Sequence, residues 1–464
     1  MHTVGFYDII KGYNGESVKE RKVRKMAMRL RKIACIRPAF GQKKDCAPEH
    51  FRGTELRIGI YTDTFYPEIN GVATSCLMLE QELSKRGHLV HVFAPKCHGW
   101  EEHKKENVHY LASAPFIALK DRNVAFPGLN EMLNIHPHNF DVIHTNTEFV
   151  MGYLGTRIAR LEGCPLVHTY HTVWEDYTYY ITHGTAIDAK AKSLTRKYSE
   201  WWCNRFDRVI SPSDKTKNLL LSYGVDSAID VIPTGMDIAR FAPELHSSQQ
   251  RELRRRECGI KPGERVLLNI GRIAKEKNLT QILRIFPKLH SVYPDVRFVI
   301  IGEGPQRQEL SEMAQSLGIA EYVTQTGPKP WENIDQYYAV GDVFCSASHT
   351  ETQGLTYIEA MASGLCVCAM DDPCLDGVIY DGINGILSED SDDALLGALI
   401  RAFGREGEQI AKNAVASVER YTAERFASEV EKCYMRAIAD QHKRLIKQES
   451  INERTPEPEK LVLD

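Results

Sequence analysis

The regular alternation of short apolar runs with amphipathic stretches most constrains the fold of this chain. From Leu56 onward, each apolar run is followed by a stretch in which apolar residues recur every three or four positions. Such runs are typical of parallel β-strands, because the crossover helices cover both faces of the sheet. The sequence therefore predicts an α/β fold of the doubly wound type.

The alternation occurs twice along the chain. In the first half, the predicted strands are Leu56–Tyr61, Leu89–Ala94, Asp141–His144, Leu166–His168 and Arg208–Ser211. The pattern restarts after the polar stretch His246–Glu257, and the predicted strands of the second half are Arg265–Gly271, Val296–Ile301, Asp342–Ser346 and Cys366–Ala369. We therefore predict two Rossmann-like domains, residues 56–240 and 241–422, which face each other across a cleft.

Composition narrows the class of protein. The chain has 464 residues, of which 43% are hydrophobic, and this excludes a disordered or fibrous protein. No apolar run approaches the roughly 18 residues that span a bilayer, and the N-terminus lacks the apolar core of a secretory signal. Twelve cysteines without a Cys-x-x-Cys pair predict a reduced, cytosolic protein that has no structural zinc site.

The basic excess lies in the N-terminal extension, residues 1–55. This segment carries 13 basic and 6 acidic residues, whereas the whole chain has 58 basic and 62 acidic residues. Within Lys19–Arg37, the apolar residues Val23, Met26, Leu30 and Ile33 recur at helical spacing. A basic helix with an apolar stripe suits an anionic membrane surface. The alternatives are a flexible tail, a patch of the kind that binds nucleic acid, or a start codon assigned too early.

Glycines and cations follow several predicted strands, where open α/β sheets bind their ligands. The loop after the first strand ends in Gly71, which lets a phosphate or sugar approach a helix N-terminus, although an ordinary turn explains it equally well. Arg272 and Lys277 lie between a strand and a helix, which favours a diphosphate site over a solvated charged loop. Gly302 begins another such turn, but the third glycine of a dinucleotide fingerprint is missing.

The most specific segment is Ser348–Gly364. The backbone N–H groups of Gly354 and Leu355 can hold a phosphate at the start of a helix. Glu351 can accept hydrogen bonds from sugar hydroxyls, and Glu359 can bridge the two hydroxyls of a ribose. Carboxylates spaced in this way do not form the acid/base pair of a glycoside hydrolase.

These motifs together resemble those of the retaining glycosyltransferases of family 4, which have the GT-B fold. The motifs are Gly71-Val72, Gly271-Arg272-x4-Lys277 and Glu351-x7-Glu359, and the resemblance extends from Leu56 to Tyr434. It implies that Arg272 and Lys277 neutralise the leaving diphosphate of a UDP-sugar donor. It also implies that Glu351 holds the donor sugar and Glu359 the ribose.

The resemblance has further implications. The family has a histidine near the reacting sugar, and the matching residue is His171, within His168–Thr172. Front-side attack, in which a diphosphate oxygen accepts the acceptor's proton, needs no enzymic nucleophile, and we expect no cofactor and no catalytic metal. The last helix, 423–453, is expected to cross back onto the first domain before a short tail, 454–464. The residues expected to bind the donor are Gly71, Gly302, Gln353, Gly354, Leu355 and Glu359.

A second resemblance concerns the acceptor. The segments 168–181 and 351–359, with Thr352-Gln353 before Gly354, resemble those of the bacterial diacylglycerol glucosyltransferases. Independently of this, the stretch Lys190–Arg208 mixes cations with aromatic residues, as the boundary between water and lipid favours. Packing of this helix on its own domain is the alternative. The residues expected on the acceptor and membrane side are Glu175, Asp176, Tyr177, Lys190, Arg196, Trp201 and Trp202.

The sequence thus predicts a retaining enzyme that moves glucose from UDP-glucose to 1,2-diacylglycerol. Its expected partners are a nucleotide sugar, a lipid acceptor and an anionic membrane, but not nucleic acid. Its expected location is the cytoplasm, peripherally on the inner face of the cell membrane. One alternative is a family 4 transferase with another nucleotide sugar and a soluble or polysaccharide acceptor. Another is a phosphorylase or a UDP-sugar epimerase of the same architecture, and the third is a non-catalytic protein that binds a UDP-sugar.

Overall fold

Two parallel β-sheets form the centres of the two halves of the chain. The computed structural model describes residues 55–68, 70–115, 123–126, 128, 139–178 and 188–452, with the backbone alone at 176–177 and 447–452. The predictions for the segment Lys19–Arg37 and for the tail 454–464 lie outside these residues.

The first half contains a sheet of seven parallel strands in the order β3-β2-β1-β6-β7-β8-β9. The strands of this half, including the antiparallel ribbon β4–β5, are β1 (Arg57–Tyr61), β2 (Leu89–Pro95), β3 (Val108–Leu111), β4 (Ser113–Pro115), β5 (Asn123–Ala125), β6 (Val142–Thr145), β7 (Leu166–Thr169), β8 (Arg208–Ser211) and β9 (Ala228–Val231). Its helices are α1 (Gly71–Lys85), α2 (Val150–Glu162), α3 (Trp174–Tyr177), α4 (Asp188–Cys203) and α5 (Asp214–Ser222).

The second half contains a sheet of six parallel strands in the order β12-β11-β10-β13-β14-β15. These strands are β10 (Arg265–Ile270), β11 (Val296–Ile301), β12 (Val323–Gly327), β13 (Val343–Ser346), β14 (Cys366–Met370) and β15 (Ile386–Ser388). The remaining helices are α6 (Ser248–Glu257), α7 (Leu279–Val292), α8 (Arg307–Ser316), α9 (Ile334–Tyr338), α10 (Leu355–Ala362), α11 (Asp392–Phe403), α12 (Arg405–Ser417) and α13 (Ala423–Asn452).

Every strand that was predicted from an apolar run lies inside one of the two sheets. Four strands of the two large sheets were not predicted, namely β3, β9, β12 and β15. These four are the edge strands of the sheets. An edge strand has one neighbour and is partly exposed, so its sequence lacks a continuous apolar run; β12, for example, reads Val-Thr-Gln-Thr-Gly. The prediction of two doubly wound domains is confirmed.

The last helix, α13, packs against the first half of the molecule. Phe426, Val430 and Tyr434 share one apolar cluster with Leu79 and Leu83 of α1. No helix within the described residues is both long enough and apolar enough to cross a membrane.

The chain passes between the two halves twice, and the two crossings are hydrogen-bonded to each other. The backbone N–H of Met236 donates to the carbonyl of Tyr421 at 2.9 Å, and that of Ala423 donates to the carbonyl of Met236 at 3.0 Å. The crossings therefore form a paired connection, and the C-terminal edges of the two sheets lie at the cleft beside it.

Candidate active site

The candidate residues lie at the switch point of each sheet. In the first half, β1 has β2 on one side and β6 on the other, so the chain leaves the carboxyl ends of β1 and β6 in diverging directions. In the second half, β10 lies in the same way between β11 and β13. Open α/β sheets bind ligands in the crevice at such points.

Lys277 and Glu351 meet beyond the carboxyl ends of β10 and β13. The Lys277 ammonium donates a hydrogen bond to Oε1 of Glu351 at 2.5 Å, and both side chains are mostly shielded from water. Arg272 lies in the same loop as Lys277, and its guanidinium pairs with Glu276. The structure thus brings two cations and a carboxylate that were predicted for the donor to the same loops.

Glu359 lies partly buried in α10. The hydroxyl of Tyr338 donates a hydrogen bond to Oε2 of Glu359 at 2.6 Å. Burial raises the pKa of the Glu359 carboxyl to about 7, against the opposing effects of the Tyr338 hydroxyl and the charge of Arg240. The protonation of this carboxyl is therefore sensitive to pH in the physiological range.

Two helix N-termini face each other across the cleft. Helix α10 begins after Gly354, which has φ 75° and no side-chain cap, so the first N–H groups of the helix have no capping side chain. A Cβ atom at Gly354 would lie 2.3 Å from the ring of Tyr357, so only glycine fits there. At Gly71, the first residue of α1, a Cβ would lie 3.6 Å from Cδ1 of Leu355. Both N-termini are placed to attract an anion.

Gly302 lies beneath the loop that carries Arg272. Its φ is 149°, and a Cβ atom would lie 1.8 Å from the carbonyl oxygen of Gly271. The loops stay together because the backbone N–H of Ile273 donates to the carbonyl of Glu303 at 2.9 Å. Gly302 therefore supports the shape of the Arg272 loop, and its predicted contact with the donor stays a prediction.

The side chain of Gln353 is buried and binds the crossing between the two halves. Its Oε1 accepts a hydrogen bond from the backbone N–H of Thr234 at 2.7 Å, and its Nε2 donates to the Thr234 carbonyl at 2.9 Å. Because both ends of the amide are engaged, the side chain joins the start of α10 to the interdomain crossing. The sequence analysis did not predict this role.

His171 lies after β7 and is held as a neutral imidazole. Burial and, to a smaller extent, the nearby His168 together lower its pKa to about 3. Nε2 of His171 lies 3.0 Å from Oδ1 of Asn146. An amide oxygen only accepts hydrogen bonds, so Nε2 carries the proton and Nδ1 remains an acceptor. Nδ2 of Asn146 is buried and has no hydrogen-bond partner among the described residues.

Two acidic residues near the carboxyl ends of β1 and β6 were missed by the sequence analysis. Asp63 follows β1 and accepts hydrogen bonds from Thr147 Oγ1 at 2.6 Å and from the Met151 N–H at 3.1 Å. Burial raises the pKa of the Asp63 carboxyl to about 6, while these hydrogen bonds lower it and the charge of Glu148 raises it. Glu148 is buried 3.3 Å from Nε2 of His168. The sequence signal that could have identified Asp63 and Glu148 is their position just after the strands β1 and β6.

Trp202 does not face a membrane. It is fully buried, and its indole N–H donates to Nε2 of His168 at 3.3 Å, so its predicted place on the membrane side is wrong. The adjacent Trp201 is 46% exposed, because neighbouring residues on a helix point in different directions.

The other residues predicted on the acceptor side lie around α4. Glu175 pairs with Arg196 of α4 at 2.5 Å, and Lys190 is exposed on the first turn of the same helix. The side chains of Asp176 and Tyr177 lie outside the described part of the chain. Binding of the acceptor by any of these residues stays a prediction.

No group of three or more His, Cys, Asp or Glu side chains that could hold a metal ion occurs within the described ranges. The His168 ring contacts Thr145, Glu148 and Trp202. The expectation that catalysis needs no metal and no cofactor stays a prediction.

Two sequence families match the two halves of the chain. Residues 69–240 match the family described as "Glycosyltransferase Family 4", and residues 250–416 match "Glycosyl transferases group 1". Among solved structures, the Anabaena protein HepE in complex with UDP and glucose superposes with a TM-score of 0.66. That match has 17% identity and covers 82% of this chain and 99% of HepE.

Two curated relatives match almost over their full lengths. The alpha-monoglucosyldiacylglycerol synthase of Streptococcus pneumoniae is 37% identical over 86% of this chain and 90% of its own length. The alpha-monoglucosyldiacylglycerol synthase of Acholeplasma laidlawii is 31% identical over 84% of this chain and 100% of its own length. The chain therefore belongs to glycosyltransferase family 4, has the GT-B fold and is an enzyme of the hexosyltransferase type.

Proposed function

We propose that this enzyme transfers glucose from UDP-glucose to 1,2-diacylglycerol with retention of configuration. The product is α-glucosyldiacylglycerol, a membrane glycolipid or an anchor for lipoteichoic acid. The observation that carries the proposal is the match over nearly the whole length of two relatives that are both named alpha-monoglucosyldiacylglycerol synthase.

The donor half supplies the charges that such a reaction needs. Arg272 and Lys277 neutralise the diphosphate as it leaves, where negative charge is greatest in the transition state. The diphosphate competes for these cations with Glu276 and Glu351, with which they pair. Glu351 then accepts hydrogen bonds from the sugar hydroxyls, and Glu359 accepts them from the ribose.

The acceptor half supplies a neutral hydrogen-bonding group. The pKa of His171 is lowered to about 3, so the ring is uncharged at neutral pH and is too weak a base to compete with the diphosphate for the acceptor's proton. Its Nδ1 can accept a hydrogen bond from a sugar hydroxyl while Asn146 holds the ring. The proton of the attacking hydroxyl passes to a diphosphate oxygen on the same face of the sugar.

A basic and apolar face on α4 supports a lipid-bound acceptor. Lys190, Leu194, Lys197 and Trp201 are exposed at helical spacing, with Leu194 53% and Trp201 46% exposed. The guanidinium of Arg205 lies 4.2 Å from the centre of the Trp201 ring. Tryptophan and cations in this arrangement suit the headgroup region of an anionic bilayer. We accordingly propose a peripheral location on the inner face of the cell membrane.

Exposed residues of α2 extend this basic and apolar face. Arg157, Arg160 and Leu161 are exposed, and Tyr153 on the same helix lies beside Trp201, with 6.3 Å between the ring centroids. A surface built from two helices can settle on a bilayer in one defined orientation. This orientation would keep the acceptor half next to its lipid substrate.

The test is a transfer assay with radiolabelled UDP-glucose and phospholipid vesicles. Vesicles with and without diacylglycerol are compared, each with and without an anionic phospholipid. We expect a labelled lipid only with diacylglycerol, more of it on anionic vesicles, and release of the label by an α-glucosidase but not by a β-glucosidase. Labelling of a water-soluble acceptor instead would overturn the lipid acceptor and leave the hexosyltransferase.

A further inference from the structure

Side chains from the first half of the molecule hold the loop that carries Glu351. The Ser213 hydroxyl, at the start of α5, donates a hydrogen bond to the carbonyl of Thr352 at 2.6 Å. The Lys215 ammonium donates to both carboxylate oxygens of Asp372 at 2.8 Å. Lys215 also reaches the carbonyl of His349 at 3.1 Å. These contacts cross the cleft from the acceptor half to the donor half.

The environment of Lys215 makes this contact strong. Its ammonium has three N–H donors, and it finds acceptors in the Asp372 carboxylate, the His349 carbonyl and, at 3.4 Å, the Glu351 carbonyl. The side chain of Asp372 is 7% exposed and that of Lys215 is 24% exposed. An ion pair shielded from water in this way is costly to break from one side, because the remaining charge is left unpaired.

Asp372 connects Lys215 to the N-terminus of α10 as well. Its Oδ1 accepts a hydrogen bond from the Cys374 N–H at 2.8 Å, which starts the short helix Pro373–Leu375. Leu375 in turn packs beside the start of α10, since a Cβ at Gly354 would lie 3.5 Å from its Cδ2. Lys215 therefore supports both the Glu351 loop and the helix that presents Gly354.

We propose that Lys215 is a positioning residue for sugar transfer. It holds the backbone on either side of Thr350 so that the Glu351 side chain stays in reach of Lys277 and of the donor sugar. Because Lys215 belongs to the acceptor half, the Glu351 loop reaches this arrangement only when the two halves are closed against each other. This inference rests on the proposed role of Glu351.

The test compares Lys215→Met with two related changes. Methionine keeps the length of the side chain and removes its charge, and Lys215→Arg keeps the charge. Lys217→Met is the matched control, because Lys217 lies on the same helix and forms no ion pair with any residue in the described ranges. Each full-length variant is assayed for kcat and for KM with UDP-glucose, and its dissociation constant for UDP is measured by calorimetry.

We expect Lys215→Met to lower kcat by about 10- to 100-fold, because small misplacements of a catalytic group have effects of this size. The KM for UDP-glucose and the dissociation constant for UDP should change by less than about threefold, since the cations and Glu359 stay in place and Gln353 still holds the start of α10 to Thr234. Lys215→Arg should recover most of kcat, and Lys217→Met should match the unchanged enzyme. A purely structural ion pair would instead lower the melting temperature and leave kcat unchanged, and this result would overturn the proposal.

Asp372→Asn provides a second, independent variant. Because it acts on the same contact, its effect on kcat and that of Lys215→Met should be far from additive in the double variant. Additive effects would contradict the proposed connection. Glu351→Ala distinguishes this inference from the function on which it rests. If Glu351→Ala abolishes transfer while Lys215→Met retains full kcat, the positioning role fails alone; if Glu351→Ala stays active, the proposed donor site fails as well.

Discussion

The hydrogen bond from Tyr338 to Glu359 should set the pH at which the donor binds. The hydroxyl lies 2.6 Å from Oε2 of Glu359, and the pKa of this carboxyl is about 7. A hydrogen bond to a charged group contributes about 1.5–3 kcal/mol, and 1.36 kcal/mol corresponds to one pKa unit. Tyr338→Phe should therefore move the midpoint of the Glu359 titration upward by about 1 to 2 pH units.

The direction of the effect follows from which form of Glu359 binds ribose. The ionised carboxylate accepts hydrogen bonds from both ribose hydroxyls, and such charge-assisted bonds are roughly twice as strong as neutral ones. Affinity for UDP-glucose should thus be full above the pKa and fall by about tenfold as the pH drops through it, which equals about 1.4 kcal/mol. In Tyr338→Phe the same fall should begin at higher pH.

The assay is calorimetric titration with UDP-glucose, without acceptor, from about pH 5.5 to about pH 9.5, a range that brackets the expected midpoints. Tyr337→Phe is the matched control, because the hydroxyl of Tyr337 also donates to a carboxylate, Oε2 of Glu257, at 3.3 Å. This control should leave the midpoint near 7. An unchanged midpoint in Tyr338→Phe, or an equal shift in both variants, would refute the assignment of Glu359 to the ribose.

Three further predictions concern other parts of the molecule. Glu351→Ala should lower kcat by about 10²- to 10³-fold with little change in UDP affinity, whereas Lys277→Ala should lower both kcat and UDP affinity. Steady-state kinetics and calorimetry measure the two quantities, and equal, small losses in both variants would contradict these roles. As the pH rises from about 4 to about 6, the free energy of unfolding of the unchanged enzyme should fall by about 3 kcal/mol, and Asp63→Asn should not show this fall. The reason is that the raised pKa lets the folded state keep a proton that the unfolded state has lost, and urea unfolding at several pH values tests this. Trp202→Ala should lower the free energy of unfolding by about 3–5 kcal/mol, as measured by thermal unfolding. Trp201→Ala should leave this free energy unchanged and reduce the amount of protein that sediments with anionic vesicles. If Trp201→Ala were the destabilising change instead, the wrong tryptophan would have been placed in the core.

The sequence was most informative about strands that are buried on both faces. Inside a parallel sheet each residue is covered by helices, so burial appears directly as a continuous apolar run such as Cys366–Met370. The edge strand β9, Ala228–Val231, is partly exposed along its length and carries Asp230, and its sequence gives no such signal. The architecture was predictable because the interior strands are enough to identify it.

The sequence was less informative about the direction of a side chain. Trp201 and Trp202 have the same chemistry and adjacent positions, yet one is 46% exposed and the other fully buried against His168 and Phe206. The composition of α4 predicts that the helix is amphipathic, but its rotation depends on the elements against which it packs. The sequence could for this reason not tell which of the two tryptophans is exposed and which is buried.

The candidate site shows why the loops that carry its residues can be located from sequence, whereas the residues that contact these loops from distant parts of the chain cannot. The rule that ligands bind after the carboxyl ends of strands found Arg272, Lys277 and Glu351, because each follows a recognisable apolar run. It missed Asp63 and Asn146, which become neighbours of the cleft because β6 pairs with β1 although more than 80 residues of sequence separate them.

Strand order also decides which residues hold the site together. Lys215 and Asp372 are 157 positions apart, and Gln353 and Thr234 are 119 positions apart. Neither pair belongs to a local motif, because each joins one half of the molecule to the other at the cleft. Local sequence encodes the groups that we propose to contact the substrate, whereas the contacts that position them depend on how the two halves meet. If this is correct, substitutions at Lys215 and Gln353 should disturb transfer through the approach of the two halves, with nucleotide affinity as the property that changes least.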